Sequence, residues 1–90
     1  MLKKWFVYIL ECGDGSFYTG ISKNIEKRFE YHRQGNGSYH VKVLKPKQIT
    51  WKEEHCDISS ARKREIQLKR WTRRKKLALI SGNFALLKKL

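Results

Sequence analysis

The spacing of apolar residues changes character once along the chain. The first part is strand-like: Trp5-Phe6-Val7-Tyr8-Ile9 is an aromatic and β-branched run, and Phe17-Tyr18-Thr19-Gly20-Ile21 is a second. Between them, Gly13-Asp14-Gly15 tolerates the positive φ that a tight turn needs, so a β-hairpin is predicted with strands over 5–9 and 17–21. The period then becomes helical. Ser22 or Asn24 can cap a helix over 25–34 that Gly35 stops, with Ile25, Phe29 and His32 along one stripe. Gly35-Asn36-Gly37-Ser38 and Pro46 mark 34–47 as a loop, and 48–55 alternates weakly as a third strand. Asp57 or Ser59 begins a longer helix over 60–72, whose inward stripe is Ile58, Ala61, Glu65, Leu68 and Thr72, with Trp71 at its flank. An apolar turn over 77–80, a break at Ser81-Gly82-Asn83 and a short terminal helix over 84–90 complete the pattern, with Leu86, Leu87 and Leu90 covering the core. The expected fold is α/β in the α+β sense. It comprises a small three-stranded sheet, antiparallel at the N-terminal hairpin, flanked by three or four helices.

Ninety residues are expected to form one domain, 1–90, with a core that is sufficient but not large. No apolar run is long enough to cross a bilayer, and the N-terminus lacks a small-residue cleavage site, so a cytoplasmic protein without a membrane partner is expected. Charge alters the picture most. Lys and Arg number 21 against 8 Asp and Glu, a net +13. Self-repulsion of that size implies a polyanionic partner, with nucleic acid first and ribosomal RNA or an anionic membrane surface as rivals. Cys12 and Cys56 lack zinc-site spacing and are expected to be free, partly buried thiols, a disulfide being the less favoured alternative.

Several side chains stand out from the pattern. Arg28 lies one turn before His32 at the edge of the same stripe, where an arginine needs a carboxylate or a phosphate. Each residue alone also fits a structural role, as an ion pair and as a satisfied imidazole. Glu65 interrupts an otherwise apolar stripe, so it must meet a cation, Arg28 among the options, a metal or a hydrogen-bond donor. Tyr8 and Tyr18 suit a half-buried sheet whatever else they do. They can share a site only with an odd-length loop or a bulge. A two-residue Asp14-Gly15 turn would put them on opposite faces, whereas Gly13 opposite Phe17 would not. Glu53, Glu54 and His55 carry metal-ligand groups, but strand neighbours alternate faces, so they are read as surface residues. Arg62, Lys63, Arg64, Lys69, Arg70, Arg73, Arg74, Lys75 and Lys76 make the outer helical face densely basic. That density favours a phosphate-tracking surface over a merely solvated one. The 34–47 loop, with Tyr39, His40, Lys42, Lys45 and Lys47, fits either a backbone-tracking loop or a plain solvated connection.

Val7-Tyr8-Ile9, a turn, and Tyr18-Thr19-Gly20 resemble the two signature elements of the GIY-YIG nuclease family. Arg28, His32 and Glu65 extend the resemblance, which runs from about Trp5 to Asn83 and is nearest the small bacterial UPF0213 type. Phe6 stands at the first glycine of the family name and Thr19 at the isoleucine of the second element, while both tyrosines and Gly20 are kept. The resemblance implies a metal-dependent endonuclease that hydrolyses DNA phosphodiester bonds in repair or recombination. Without a second domain to read sequence, shape or strand ends are the expected targets. It further implies Tyr8 as general base or relay, and His32 as acceptor of the phenolic proton. Tyr18 would orient water or phosphate, Arg28 would bind the non-bridging oxygens, and Glu65 would hold one Mg²⁺, with Mn²⁺ as the substitute. Gly20 and Asn83 would be supporting residues. A free phenol titrates near 10, so Arg28 and the metal would have to lower the Tyr8 value. Arg62, Lys63, Lys69, Arg70, Arg73, Arg74, Lys75 and Lys76 are the expected nucleic-acid contacts. A monomer is expected, with DNA preferred over RNA and targeting left to a separate protein. The rival readings are a non-catalytic DNA- or RNA-binding module that keeps the nuclease fold, and a small structural protein on the ribosome or membrane.

Overall fold

The fold is known from a computed structural model that describes residues 4–36 and 45–90. Most of the basic loop over 34–47 lies outside the described residues. In chain order the elements are β1 (Trp5–Cys12), β2 (Phe17–Ser22), α1 (Ile25–Arg33), β3 (Pro46–His55), α2 (Ile58–Lys69), α3 (Arg73–Ile80) and α4 (Phe84–Lys89). The strands form one antiparallel sheet in the order β2-β1-β3. This is the α+β architecture expected from the pattern. β1 extends past Ile9 to Cys12 because its last residues pair with both neighbours. β3 starts at Pro46, earlier than expected; the missing N–H is tolerated at the first residue of an edge strand.

The hairpin loop has three residues. Gly15 N–H donates to the Cys12 carbonyl at 2.9 Å, and Cys12 N–H donates to the Ser16 carbonyl at 2.8 Å. Gly15 takes φ +86°, the left-handed position that ends this class of turn. The register follows, with Tyr8 opposite Gly20 and Leu10 opposite Tyr18. Because the loop is odd in length, both tyrosines emerge on one face, as a shared site requires. The closing pair is Cys12 with Ser16, not Gly13 with Phe17.

Both faces of the sheet are covered, and β1 is its buried spine: Val7, Ile9, Leu10 and Cys12 are fully buried. Val7 and Ile9 pack with Ala61 and Leu68 of α2 and Leu79 of α3, rimmed by Trp5, Ile21, Trp51, Trp71 and Leu87. On the other face, Tyr8 and Leu10 pack with Ile25 and Phe29 of α1 and Ile49 of β3. Thr19, opposite Ile9, is buried with its hydroxyl unpartnered among the described residues.

Capping sets the helix limits. Asn24 Oδ1 accepts from Lys27 N–H at 3.0 Å to start α1, and Asp57 Oδ1 accepts from Ser60 N–H at 2.8 Å to start α2. Thr72 was expected to close the inward stripe of one long helix. It is instead the extended N-cap of α3, accepting from Lys75 N–H at 3.2 Å, so α2 ends at Lys69. Ile58 and Leu90 are exposed at 36% and 39%, so neither serves the core as expected. Cys12 is buried and Cys56 exposed; both are free thiols, with only the first matching the expected burial. No described helix is long and apolar enough to cross a membrane.

Two surface assignments also change. Glu53 and His55 share a strand face and meet at 2.8 Å, while His55 Nδ1 lies 3.0 Å from Ser60 Oγ. They form a half-buried clasp between β3 and α2, whereas Glu54 pairs with Lys4 on the opposite face at 3.2 Å. Arg64 does not join the outer basic face. Its guanidinium lies over Trp51 and Trp71, at 5.8 and 5.3 Å from the ring centroids, with Nε 3.2 Å from Glu53 Oε1. The Nε–Glu53 contact is an ion pair rather than an aligned hydrogen bond.

Candidate active site

Tyr8 stands on the central strand, yet its phenol lies directly over the backbone of the edge strand. A Cβ added to Gly20 would sit 2.6 Å from Tyr8 Oη, 2.8 Å from its Cζ and 3.2 Å from Tyr18 Cε1. Only a residue without a side chain leaves that passage open. Beyond it is a recess of about 220 Å³ at the β2 edge, into which Tyr8, Tyr18, Arg28, His32 and Glu65 all converge. Ile21 belongs to the α2 face and Tyr8 to the α1 face, so the recess wraps around the edge of the sheet. Helices on opposite faces therefore contribute to one site. α1 supplies Arg28 and His32, and α2 supplies Glu65.

The hydrogen bonds fix the tautomer of His32. Its Nδ1 lies 3.3 Å from the Asn36 carbonyl, which can only accept, so Nδ1 carries the proton. Nε2 is then an acceptor, and the Tyr8 hydroxyl donates to it at 3.2 Å. Burial holds the imidazole below its ordinary pKa; the Asn36 carbonyl opposes this and the Arg28 charge adds to it. Arg28 acts on the phenol in the expected direction, but burial decides its pKa here. Burial pushes Tyr8 well above its ordinary value, Tyr18 pushes the same way, and the Arg28 charge that was expected to lower it is outweighed. Tyr8 is a neutral donor to a neutral histidine. Tyr18 sets its ring edge-on to His32, with centroids 5.6 Å apart.

Arg28 is exposed and stacks over Tyr31 at 5.4 Å; it makes no ion pair with a carboxylate among the described residues. The alternative in which Arg28 neutralises Glu65 is therefore not the arrangement found. Glu65 is half-buried and pairs instead with Lys69, one turn on in α2, at 3.3 Å. Asn83 does not line the recess: its Oδ1 caps α4 by accepting from Leu86 N–H at 3.1 Å. Tyr31 was not singled out in the sequence. It lies three residues after Arg28, so helical spacing alone could have placed it beside that guanidinium.

The donor set bears on any metal. Among the described residues there is no cluster of three or more His, Cys, Asp or Glu side chains, and Glu65 is the one carboxylate of the recess. Such a set does not suit zinc, but it does suit a hard ion that keeps most of its waters, as Mg²⁺ does.

The expected basic contacts divide into two groups. Arg62, Lys63, Arg70 and Arg74 are exposed, without an ion pair or ring contact among the described residues. The others have structural attachments. Lys69 pairs with Glu65, and Arg73 lies over Phe17 and donates to the Gly15 carbonyl at 2.7 Å. Lys75 lies over Trp71 at 4.6 Å, and burial lowers the Lys76 pKa.

Comparison with known proteins agrees with this geometry. The family model described as "GIY-YIG catalytic domain" matches residues 4–78. A UPF0213 protein of Staphylococcus saprophyticus is 44% identical over 80 residues, covering 89% of this chain and 98% of its own. One from Staphylococcus aureus is 45% identical over 75 residues, covering 83% and 92%. The solution structure of a UPF0213 protein from Bacillus halodurans aligns with a TM-score of 0.56 at 33% identity, over 87% of this chain and 83% of that one. With both tyrosines and Gly20 of the signature elements brought to one recess, the chain belongs to the GIY-YIG family, as a member of its UPF0213 type.

Proposed function

We propose that this protein is a metal-dependent endonuclease that hydrolyses DNA phosphodiester bonds, selecting DNA by shape rather than sequence and serving repair or recombination. The observation that carries the reading is the convergence of Tyr8, Tyr18, Arg28, His32 and Glu65 on one recess, reached through the space that Gly20 leaves. A binding surface alone has no need of a buried phenol hydrogen-bonded to a buried imidazole.

In the proposed mechanism Tyr8 is a relay, not a standing phenolate. A water in the recess gives a proton to Tyr8 Oη as the Tyr8 hydroxyl proton passes to His32 Nε2; the hydroxide attacks phosphorus, the P–O bond to the departing oxygen breaks, and that oxygen takes a proton from solvent. Neutral His32, held by the Asn36 carbonyl, is in the protonation state that accepts. Arg28 binds the non-bridging oxygens and meets the charge that grows on them. Tyr18 orients the water or the phosphate. Glu65 would hold the ion. When bound, Mg²⁺ or Mn²⁺ would supply Lewis-acid stabilisation of the phosphate and of the departing oxygen.

Labelled single-stranded, duplex, flapped and branched DNAs test the reading, with Mg²⁺ or EDTA, for wild type and Glu65→Ala. Metal-dependent cutting that the variant loses by about 100-fold or more, with binding kept, is the expected result. Tight binding with no cutting in Mg²⁺ or Mn²⁺ would overturn it. The non-catalytic module is the second reading, favoured by one contact: Lys69 already places an ammonium 3.3 Å from the Glu65 carboxylate.

A further inference from the structure

Beside the catalytic recess, along the same edge of the sheet, lies a second and larger cleft of about 590 Å³. The two share Arg28 and Tyr31 in their walls, so they are contiguous. None of the signature positions of the catalytic recess accounts for this cleft. Its walls are aromatic, formed by Trp5 from the start of β1 and Tyr31 from α1, and its rim is cationic, formed by Lys23, Lys27 and Arg28. Tyr31 is 44% exposed, and its ring also meets the buried His32 edge-on, with centroids 5.7 Å apart. The Lys23 ammonium lies over the Trp5 ring at 5.1 Å, and the Arg28 guanidinium lies over Tyr31 at 5.4 Å. Two ring-plus-cation pairs thus face one hollow that adjoins the recess.

The polar floor is already engaged. Ser22 Oγ donates to the Asn24 carbonyl at 2.9 Å and accepts from Asn24 N–H at 3.1 Å. Asn24 Oδ1 is held by the α1 cap. These capping bonds occupy the Ser22 hydroxyl and Asn24 Oδ1, so what the cleft mainly offers is aromatic rings and positive charge. Those suit a ring bearing a phosphate and are indifferent to which base it is. A base inside a duplex cannot present its face, so the occupant must be unpaired.

From this we infer that the cleft between β1, the β2–α1 turn and α1 binds one unpaired nucleotide next to the scissile phosphate. Its base stacks at Tyr31 and Trp5, and its phosphate lies against Lys27 and Arg28. The inference rests on the nuclease reading and deepens it, because it makes DNA with an unpaired nucleotide at the cut the preferred substrate.

The test is binding in EDTA, which does not depend on cleavage. A fluorescent duplex with a short single-stranded flap is compared with the same duplex carrying an abasic flap, sugar and phosphate only. Stacking of one base predicts about tenfold weaker binding to the abasic flap for the wild type. Tyr31→Ala should clearly reduce that difference, since only Trp5 then remains to stack the base, and Tyr31→Phe, which keeps the ring, should retain it. Tyr31 is exposed, so the alanine variant should fold, and its thermal unfolding verifies this. Equal binding of the two flaps by the wild type overturns the inference. So does discrimination undiminished in Tyr31→Ala, or no binding of either DNA. Cutting is then read on the same DNAs with Mg²⁺. Discrimination without cutting would leave the cleft standing and remove the nuclease reading, whereas cutting without discrimination would do the reverse.

Discussion

Gly20→Ala isolates the passage through which Tyr8 reaches the recess. Gly20 does not occupy the left-handed region, so alanine brings no backbone strain there. Its methyl would meet Tyr8 Oη at 2.6 Å and Cζ at 2.8 Å, and both belong to a rigid ring buried to 2% exposure. Opening 2.6 Å to an ordinary contact of 3.4 Å displaces the phenol by about 0.8 Å. If the ring stays, overpacking costs about 1–3 kcal/mol. If it swings away, the 3.2 Å bond to His32 breaks and leaves two buried polar groups unpaired, again about 1–3 kcal/mol. These are alternative ways to relieve one clash, so they do not add. In a chain of 90 residues, 1 kcal/mol corresponds to roughly 4–8 °C in Tm, so a fall of about 5–20 °C is expected. A shift approaching 1 Å in the relay should lower cleavage by about 100-fold. Thermal unfolding and single-turnover cleavage measure the two effects, and a double-mutant cycle with Tyr8→Ala assigns the cause. In the Tyr8→Ala background only the 3.2 Å contact with Tyr18 Cε1 remains, so Gly20→Ala should then cost less than about 1 kcal/mol. The same destabilisation in both backgrounds would falsify the steric argument.

Other consequences can be checked separately. Thr19→Val keeps the shape and removes a buried hydroxyl with no partner among the described residues, so stability should rise by about 1 kcal/mol, read by urea unfolding. A fall in the urea midpoint would show that the hydroxyl has a partner. The pH dependence follows from His32, whose folded pKa lies below its ordinary 6.5. Between those two values the unfolded chain holds the extra proton, so the contribution is complete above about 6.5 and is lost as pH falls through the folded value. Urea midpoints should therefore drop from pH 7.5 to 5, and His32→Gln should flatten that slope; an unchanged slope in the variant would reject the assignment. Arg64→Ala removes a guanidinium stacked on two tryptophans and paired with Glu53, and should cost about 1–2 kcal/mol. DNA affinity in titrations at two salt concentrations should change less than for Arg62→Ala, and the opposite ranking would return Arg64 to the binding surface.

What could be read from the sequence, and what could not, divides along physical lines. The hairpin, the three-stranded sheet and the helices were legible because local periodicity and caps dictate them. The shared site was legible only as a condition on loop length, since one residue more or less in the turn moves Tyr18 to the other face. The role of Thr72 was hidden because its spacing fits both a helical stripe and an N-cap, and only tertiary packing decides. For Tyr8, the direction of the Arg28 contribution was legible but not the burial that outweighs it. Sequence shows which charges can be near a phenol, but not how completely the fold strips water from it. The inward turn of Arg64 was equally invisible, because its partners Trp51 and Trp71 come from distant elements.

The position of the recess also constrains what can occupy it. In a three-layer arrangement, side chains from helices on opposite faces of a sheet meet only where the sheet ends. β2 is such an edge, and Gly20 is where the central-strand tyrosine crosses it. A site built this way is a groove along a border rather than a pit, so it suits an extended polymer better than a small metabolite. The cations follow that border. Lys23, Lys27 and Arg28 lie along it on one side. Arg62 and Lys69 share the helical face of Glu65 on the other, three residues before it and four after. A phosphodiester backbone laid along the β2 edge would pass between these two sets with its reactive phosphate over Tyr8. By the same geometry, charge removal on either side should weaken binding about equally across sequences. Loss of Tyr31, in contrast, should matter only where a base is unpaired.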